Sequence, residues 1–225
     1  MLHAGFVRVI APALAVVLLL FSTSAHAGKK TRKADSAKAN IMKSILPSIE
    51  KLEEQFSLKA GELAIIVHPG RQQLYLVKDR TIQKTYNVST ARLGLGTKQN
   101  SFKTPWGTHR IKTKIGDGAK RGTIFKHQED TGRIAKIRTS KARSRASITT
   151  RIMWLDGQEA GVNNGPGIGS YERYIYVHGT SWEGGIGTPV SAGCVVMKND
   201  DVIDLFDRVP EGTLVEIIKK GYGTF

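Results

Sequence analysis

The sequence predicts a mostly β domain, a β-sandwich or partly closed barrel with few short helices, preceded by an N-terminal amphipathic helix. Three observations carry that expectation. A two-residue apolar period begins near Glu62, short β-like runs punctuated by Gly and Pro recur to the end of the chain, and helical periodicity is confined to two stretches.

The chain opens with MLHAGFVRVIAPALAVVLLLFSTSAHA: a weakly basic start at Arg8, an apolar run from Val9 to Phe21, and the small-residue exit Ala25-His26-Ala27. That layout predicts a cleavable export signal over residues 1–27. Its apolar run falls short of the roughly 20 residues a spanning helix needs. Nothing later is long and apolar enough to cross a bilayer, so no membrane span is expected after cleavage.

Residues 28–60 read as a basic lead-in and a helix. GKKTRKADSAKAN (28–40) is basic, small and polar, which predicts a flexible segment. Ile41, Ile45, Ile49, Leu52 and Phe56 then recur at three- or four-residue steps, predicting an amphipathic helix over Ile41–Phe56 with a bend at Pro47.

The folded domain is expected over 61–219, with 220–225 as a tail. It starts with a strand through Val67, a Pro69-Gly70 turn, a strand Gln73–Val77, a tight turn at Lys78-Asp79-Arg80 and a third strand to Val88, an antiparallel meander. Further strands are expected at Thr108–Thr113, Ile148–Leu155, Tyr174–His178, Cys194–Met197 and Leu214–Ile218. A second helix is expected from Asn199, as N-cap, to Phe206, with Val202, Leu205 and Phe206 facing inward. Residues 117–146, rich in Gly, Lys, Arg and Ser, read as a long excursion between strands, and such excursions tend to be functional.

With 34 Lys and Arg against 19 Asp and Glu, the net charge is +15, which implies polyanionic or carboxylate-rich surroundings. The export signal and the lack of interleaved aromatic and basic motifs argue against nucleic acid. An acidic cell envelope fits better.

The one cysteine, Cys194, excludes an internal disulfide. It is therefore a buried apolar residue, half of an intermolecular bridge, or a nucleophile. His178 closes an apolar strand and is followed by Gly179; Cys194 follows Gly193. A strand-end histidine near a cysteine on a glycine turn supplies a base, a nucleophile and free backbone N–H groups for an oxyanion. The bland reading makes His178 a core histidine and Cys194 a packing residue. As a pair, they predict a thiol that ionises below the free value of about 8.5. His68, His109, His127 and His178 show no paired-ligand spacing with the cysteine, so neither a metal nor a cofactor is expected.

The segments YIYVHGT, IGTPVSAGCVVM and NDDVIDLFDRVPEGTLVEI, with the earlier QQLYLVKD, YNVSTARLG and TPWGTHRI, resemble the L,D-transpeptidase catalytic domain of the YkuD type from about Glu62 to Ile218. The resemblance implies a cysteine acyltransferase of peptidoglycan and cell-wall biogenesis that acts on tetrapeptide stems in the periplasm or cell envelope. It makes Cys194 the nucleophile, His178 its base and Gly179 the carbonyl that orients the imidazole. Backbone N–H groups of Ala192, Gly193 and Cys194 would form the oxyanion hole, with Ser191, Thr180, Arg173 and Trp182 contacting substrate. The partners implied are peptide stems and an amine acceptor, on a stem or an envelope protein; water as acceptor would make the enzyme a carboxypeptidase or endopeptidase. A wall-binding module without productive chemistry is the remaining alternative.

One departure falls inside the signature. Where the family carries Ser-His-Gly-Cys, an apolar residue and then Arg or Asn, this chain has Ser191-Ala192-Gly193-Cys194-Val195-Val196. A basic loop carrying Lys136, Arg138, Lys141, Arg143 and Arg145, with Arg151 and Arg173, either meets stem carboxylates or forms a solvated basic face. Trp182 and Trp106 either line a cleft or belong to the core.

Overall fold

The computed structural model describes Met1, residues 18–142 and residues 145–219. Most of the expected export signal, the tail 220–225 and Arg143 lie outside the described residues. No described helix is long and apolar enough to cross a membrane.

The chain divides into two units, residues 1–44 and 45–225. The described residues 18–44 of the first unit are helical, the beginning of α1 (Leu18–Phe56). The helix thus starts well before the expected Ile41 and takes in the stretch read as a flexible lead-in; Lys and Ala are good helix formers, which explains the extension. Within the second unit α1 runs on through Pro47 and buries Ile45, Ile49 and Leu52, the expected inner face.

Ten strands follow in one hydrogen-bonded sheet: β1 (Leu63–His68), β2 (Gln73–Lys78), β3 (Thr81–Ser89), β4 (Gly107–Ile115), β5 (Thr123–Lys126), β6 (Glu129–Ile134), β7 (Ile148–Gly157), β8 (Tyr176–Thr180), β9 (Val195–Met197) and β10 (Leu214–Ile217). The second helix, α2 (Asn199–Arg208), lies between β9 and β10. Strand order is β4-β10-β1-β2-β3-β9-β8-β7-β5-β6, and β4 also pairs with β7. Pairing therefore returns on itself through β4, leaving the β5–β6 hairpin beyond β7. The expected mostly β domain with few helices is what forms, as one continuous sheet.

The expected meander is β1, β2 and β3, paired antiparallel. It is buried because alternate residues of each strand enter one core: Ile65 and Val67, Leu74 and Leu76, Tyr86 and Val88 pack with Val177, Val195, Met197 and the α2 residues Val202, Leu205 and Phe206. Pairs β1–β10 and β3–β9 tie the meander to the rest, and the sheet has two parallel pairs, β1–β10 and β8–β9. In the second pair His178 lies opposite Val196 and Gly179 opposite Met197.

Three elements differ from expectation. Strand β8 starts at Tyr176 rather than Tyr174, because Tyr174 has φ +56 and leaves the extended region. The excursion 117–146 contains the β5–β6 hairpin, whose outer strand Glu129–Ile134 is exposed throughout and so shows no apolar alternation. Asn199 is not the cap of α2: Lys198 holds that position without a side-chain bond, and the Asn199 N–H donates instead to Glu183 Oε1 at 2.9 Å.

Candidate active site

Strand β8 ends and β9 begins at the rim of one cavity of about 330 Å³. It is lined by twelve residues, among them His178, Thr180 and Trp182 from the β8 side and Ser191, Ala192, Cys194 and Val196 from the β9 side. Ile148, Ile186 and Val190 give it apolar walls, and among the described residues that line it there is no Lys, Arg, Asp or Glu. A larger hollow of about 540 Å³ near Leu58 and Glu211 has neither a thiol nor a histidine in its lining.

The cysteine turn is built from its own backbone. Ser191 is pinned to the segment after β3, its N–H donating to Thr90 O at 3.0 Å and its carbonyl accepting from Arg92 N at 3.0 Å. The Ser191 hydroxyl donates to Cys194 O at 2.6 Å and accepts from Gly193 N at 3.2 Å. Gly193 has φ +137, a conformation side chains rarely adopt, and a Cβ there would meet Ile175 Cδ1 at 3.3 Å. Ser191 thus braces the turn that presents the thiol.

The Cys194 thiol donates to Tyr174 O at 3.5 Å and accepts from Tyr176 N–H at 3.4 Å. Burial pushes the thiol up to about 11; the Tyr176 N–H and the Arg173 charge pull weakly the other way. His178 is 7% exposed, and burial pushes its imidazole down to about 4, opposed by the Gly179 carbonyl. Both groups are therefore neutral at pH 7, and the expected low thiol pKa is not found. A neutral imidazole supplies no positive charge to hold a thiolate.

His178 Nδ1 lies 2.7 Å from Gly179 O. A carbonyl only accepts, so Nδ1 carries the proton and Nε2 has the lone pair. Gly179 must be glycine for packing as well: a Cβ would lie 2.6 Å from Thr149 O and 2.9 Å from Asn199 Oδ1.

Of the expected site residues, His178, Thr180, Trp182, Ser191, Ala192 and Cys194 line one cavity, while Gly179 and Gly193 stand directly behind it in the backbone. Arg173 is not among the lining residues. Its guanidinium donates to Gly96 O, Thr97 O, Ser101 Oγ and Lys103 O at 2.8–3.4 Å, holding a loop in place. Arg151 is turned away too, donating to Ala119 O and Thr150 O with its guanidinium over the Phe206 ring. The basic loop reaches the rim through Trp182, whose indole N–H donates to Ser140 O at 2.8 Å, and through the Arg138 N–H to Ser181 O at 2.9 Å. Trp106 lies elsewhere, under the Lys219 ammonium at 4.3 Å.

Sequence reasoning missed the polar cluster behind β8. Asn199, wholly buried, joins Thr149, Thr150, Thr180 and Glu183. An asparagine opening a helix signals a cap by default, and only the fold turns its side chain inward. Also missed was an aromatic stack beside the thiol, Trp154 on Tyr171 with ring centroids 4.1 Å apart and on Tyr174 at 5.4 Å. His109, in contrast, is a satisfied core histidine, paired with Gly107 O and Ser170 Oγ at 2.9 Å each.

Comparison with known proteins supplies the remaining observation. A family model described as the L,D-transpeptidase catalytic domain matches residues 62–217. The "Probable L,D-transpeptidase ErfK/SrfK" of Salmonella typhimurium is 47% identical over 57 residues, 24% of this chain and 18% of that protein. The "Putative L,D-transpeptidase YkuD" of Bacillus subtilis is 42% identical over 60 residues, 24% of this chain and 37% of that one. The matched stretches therefore span well under two thirds of these relatives' own length. Among solved structures, an L,D-transpeptidase from Mycobacterium tuberculosis superposes with a TM-score of 0.44 at 15% identity, over 70% of this chain and 57% of that one. On the family model, which takes in all ten strands of the sheet, the chain belongs to the L,D-transpeptidase catalytic domain family.

Proposed function

We propose that this protein is a peptidoglycan L,D-transpeptidase in which Cys194 is the nucleophile and His178 its general base. The observation that carries the reading is one cavity holding the thiol and an imidazole whose proton is fixed on Nδ1, so that Nε2 is free to accept another.

The resting pair is neutral, so proton transfer accompanies attack. The thiol turns from the Tyr174 carbonyl toward Nε2, its proton passes to that nitrogen, and sulfur bonds to the stem carbonyl carbon. Backbone N–H groups of Ala192 and Cys194 hold the resulting oxyanion; the Gly193 N–H, expected to join them, is engaged by the Ser191 hydroxyl. The imidazolium then returns the proton to the scissile nitrogen, the C–N bond breaks, D-alanine leaves as an amine, and a thioester remains. An acceptor amine attacks the thioester and gives its proton to Nε2. The expelled sulfur is reprotonated, restoring the thiol. Thr180 and Trp182 wall the donor side. Arg173 acts at one remove, through the loop it clamps.

The reading includes export to the periplasm or cell envelope, where a net charge of +15 favours approach to the anionic wall. The test is incubation with purified disaccharide-tetrapeptide stems followed by mass analysis. Cross-linked dimers with loss of D-alanine are expected, and neither Cys194→Ala nor His178→Ala should form them. Tripeptides alone would replace transfer with hydrolysis; unchanged stems would leave a wall-binding module.

A further inference from the structure

The strand facing the base is irregular. Pairing of β7 with β8 shifts register between Thr149 and Ile152: Thr149 lies opposite Gly179, Ile152 opposite His178, and Thr150 and Arg151 bulge between them. Thr150 has φ +73, a left-handed conformation costly for a β-branched residue. Such strain persists only where surrounding contacts enforce it. Bulges of this kind re-aim neighbouring side chains.

The Gly122 N–H donates to Thr150 Oγ1 at 2.8 Å and Arg151 to Thr150 O at 2.7 Å, but one amide ties the bulge to the next strand. Asn199 Oδ1 accepts from Thr149 Oγ1 at 2.7 Å and from Thr150 Oγ1; Asn199 Nδ2 donates to Thr180 O at 2.8 Å and to Glu183 Oε1 at 2.6 Å. A carboxamide has two N–H donors and two carbonyl lone pairs, so all four are engaged and its orientation is unique. The amide ties the bulge on β7 to the end of β8. Its oxygen also sits where a side chain on Gly179 would be, 2.9 Å from that Cβ position. Glu183 is tied in turn to the α2 N-terminus and to Arg121 at 3.3 Å.

We propose that Asn199 is a positioning residue for the His178 base, clamping the Thr149–Thr150 bulge against the Gly179–Thr180 backbone so that the Gly179 carbonyl holds the imidazole proton on Nδ1. Asn199 neither lines the cavity nor touches the thiol; it acts through the Gly179–Thr180 backbone, to which its amide is bonded. The proposal rests on the assignment of His178 as the base. Without the clamp the Gly179 carbonyl relaxes, the Nε2–H tautomer becomes populated, and that fraction of the enzyme cannot accept the thiol proton.

The test reads the tautomer directly, by imidazole ¹⁵N shifts of His178 at pH 7 in the full chain, beside the rate of Cys194 acylation by tetrapeptide stems. The parent is expected to show the Nδ1–H form alone. Asn199→Ala is expected to show a mixture and acylation slowed about 10- to 100-fold through kcat rather than KM, the scale of a small misplacement of a catalytic group. Asn199→Asp sets a second carboxylate against Glu183 and should be at least as slow. Adding Glu183→Gln to it repairs the contact with residue 183 but leaves a carboxylate oxygen facing the Thr180 carbonyl, so the double variant should stay slow. If Asn199→Ala does not fold, Thr149→Val, which removes a single hydroxyl bond, carries the same readouts with a smaller rate loss. A folded variant with the parent's single tautomer and rate overturns the proposal while leaving the base assignment intact. His178→Ala acylated as fast as the parent removes that assignment, and the proposal with it.

Discussion

At the scale of single residues, the thiol behaves differently from what a Cys–His pair suggests. With the thiol pushed up to about 11 and His178 down to about 4, no ion pair forms in the free protein. Alkylation of Cys194 by iodoacetamide is therefore expected to rise with pH well beyond the free-cysteine value of about 8.5, and His178→Ala should leave that profile nearly unchanged. The same variant should slow stem acylation by about 10²- to 10⁴-fold, the usual contribution of a general base. A midpoint near 7 that moves upward in His178→Ala would instead establish a resting ion pair. The altered signature can be separated into its two positions. Val196 is 9% exposed, faces the cavity and is the cross-strand neighbour of His178, whereas Ala192 is exposed. Thermal melts should show Ala192→His within about 0.5 kcal/mol of the parent. Val196→Arg should cost about 1–3 kcal/mol, because a longer, charged side chain must enter an apolar wall. Equal melts would mean that the cavity already accommodates a cation at that position.

At the scale of elements, what could be read from sequence depended on whether burial marked alternate residues. Strands β1 to β3, β7 and β10 each carry an apolar set into the core, so their periodicity was legible, and so was α2 through Val202, Leu205 and Phe206. The β5–β6 hairpin was not, since every residue of β6 is exposed and none marks a buried face. The nucleophile and base were legible because glycines flank them in sequence. The supports were not, because Asn199, Glu183 and Thr149 lie 16 to 50 positions apart and meet only through the fold. Arg173 is the plainest case of a residue whose role the sequence misplaced. Its fork bonds three carbonyls and one hydroxyl between Gly96 and Lys103, so it organises a loop. Arg173→Ala is expected to cost about 2 kcal/mol or more and to speed amide exchange over residues 96–104, and Arg173→Lys should not rescue it, because an ammonium cannot reproduce the planar fork. Exchange unchanged from the parent would show that the loop holds itself.

At the scale of the whole molecule, acid should unfold the domain through its histidines before its carboxylates. His109 is wholly buried with its Nδ1 proton on Gly107 O, and Nε2 accepts from Ser170; burial pushes it down to about 4, as it does His178. An unfolded histidine titrates near about 6.5. Above that value both states are neutral and the full stability is present. As pH falls from 6.5 toward 4, the unfolded chain takes up protons that the folded chain excludes, so stability declines, and the decline levels off once the folded state is protonated too. Each histidine can contribute on the order of 3 kcal/mol to this loss, an upper bound for groups so placed. Glu216 works the other way: burial raises its carboxyl against the opposing pull of the Thr108 hydroxyl and the Lys51 ammonium, so its folded form gains a proton first and returns a little stability as pH falls. Asp204, held well below the usual carboxylate range by Arg208, Tyr86 and Lys84, adds a further loss only at lower pH, around about 4 and below. The expected result is a Tm that falls by about 10 °C or more between pH 7 and pH 4, with part of the slope removed in His109→Gln, which cannot be protonated. A Tm flat from pH 7 to pH 5 in the parent would mean that these imidazoles take up protons in the folded state as readily as in the unfolded one, and the neutral resting pair at Cys194 would fall with it.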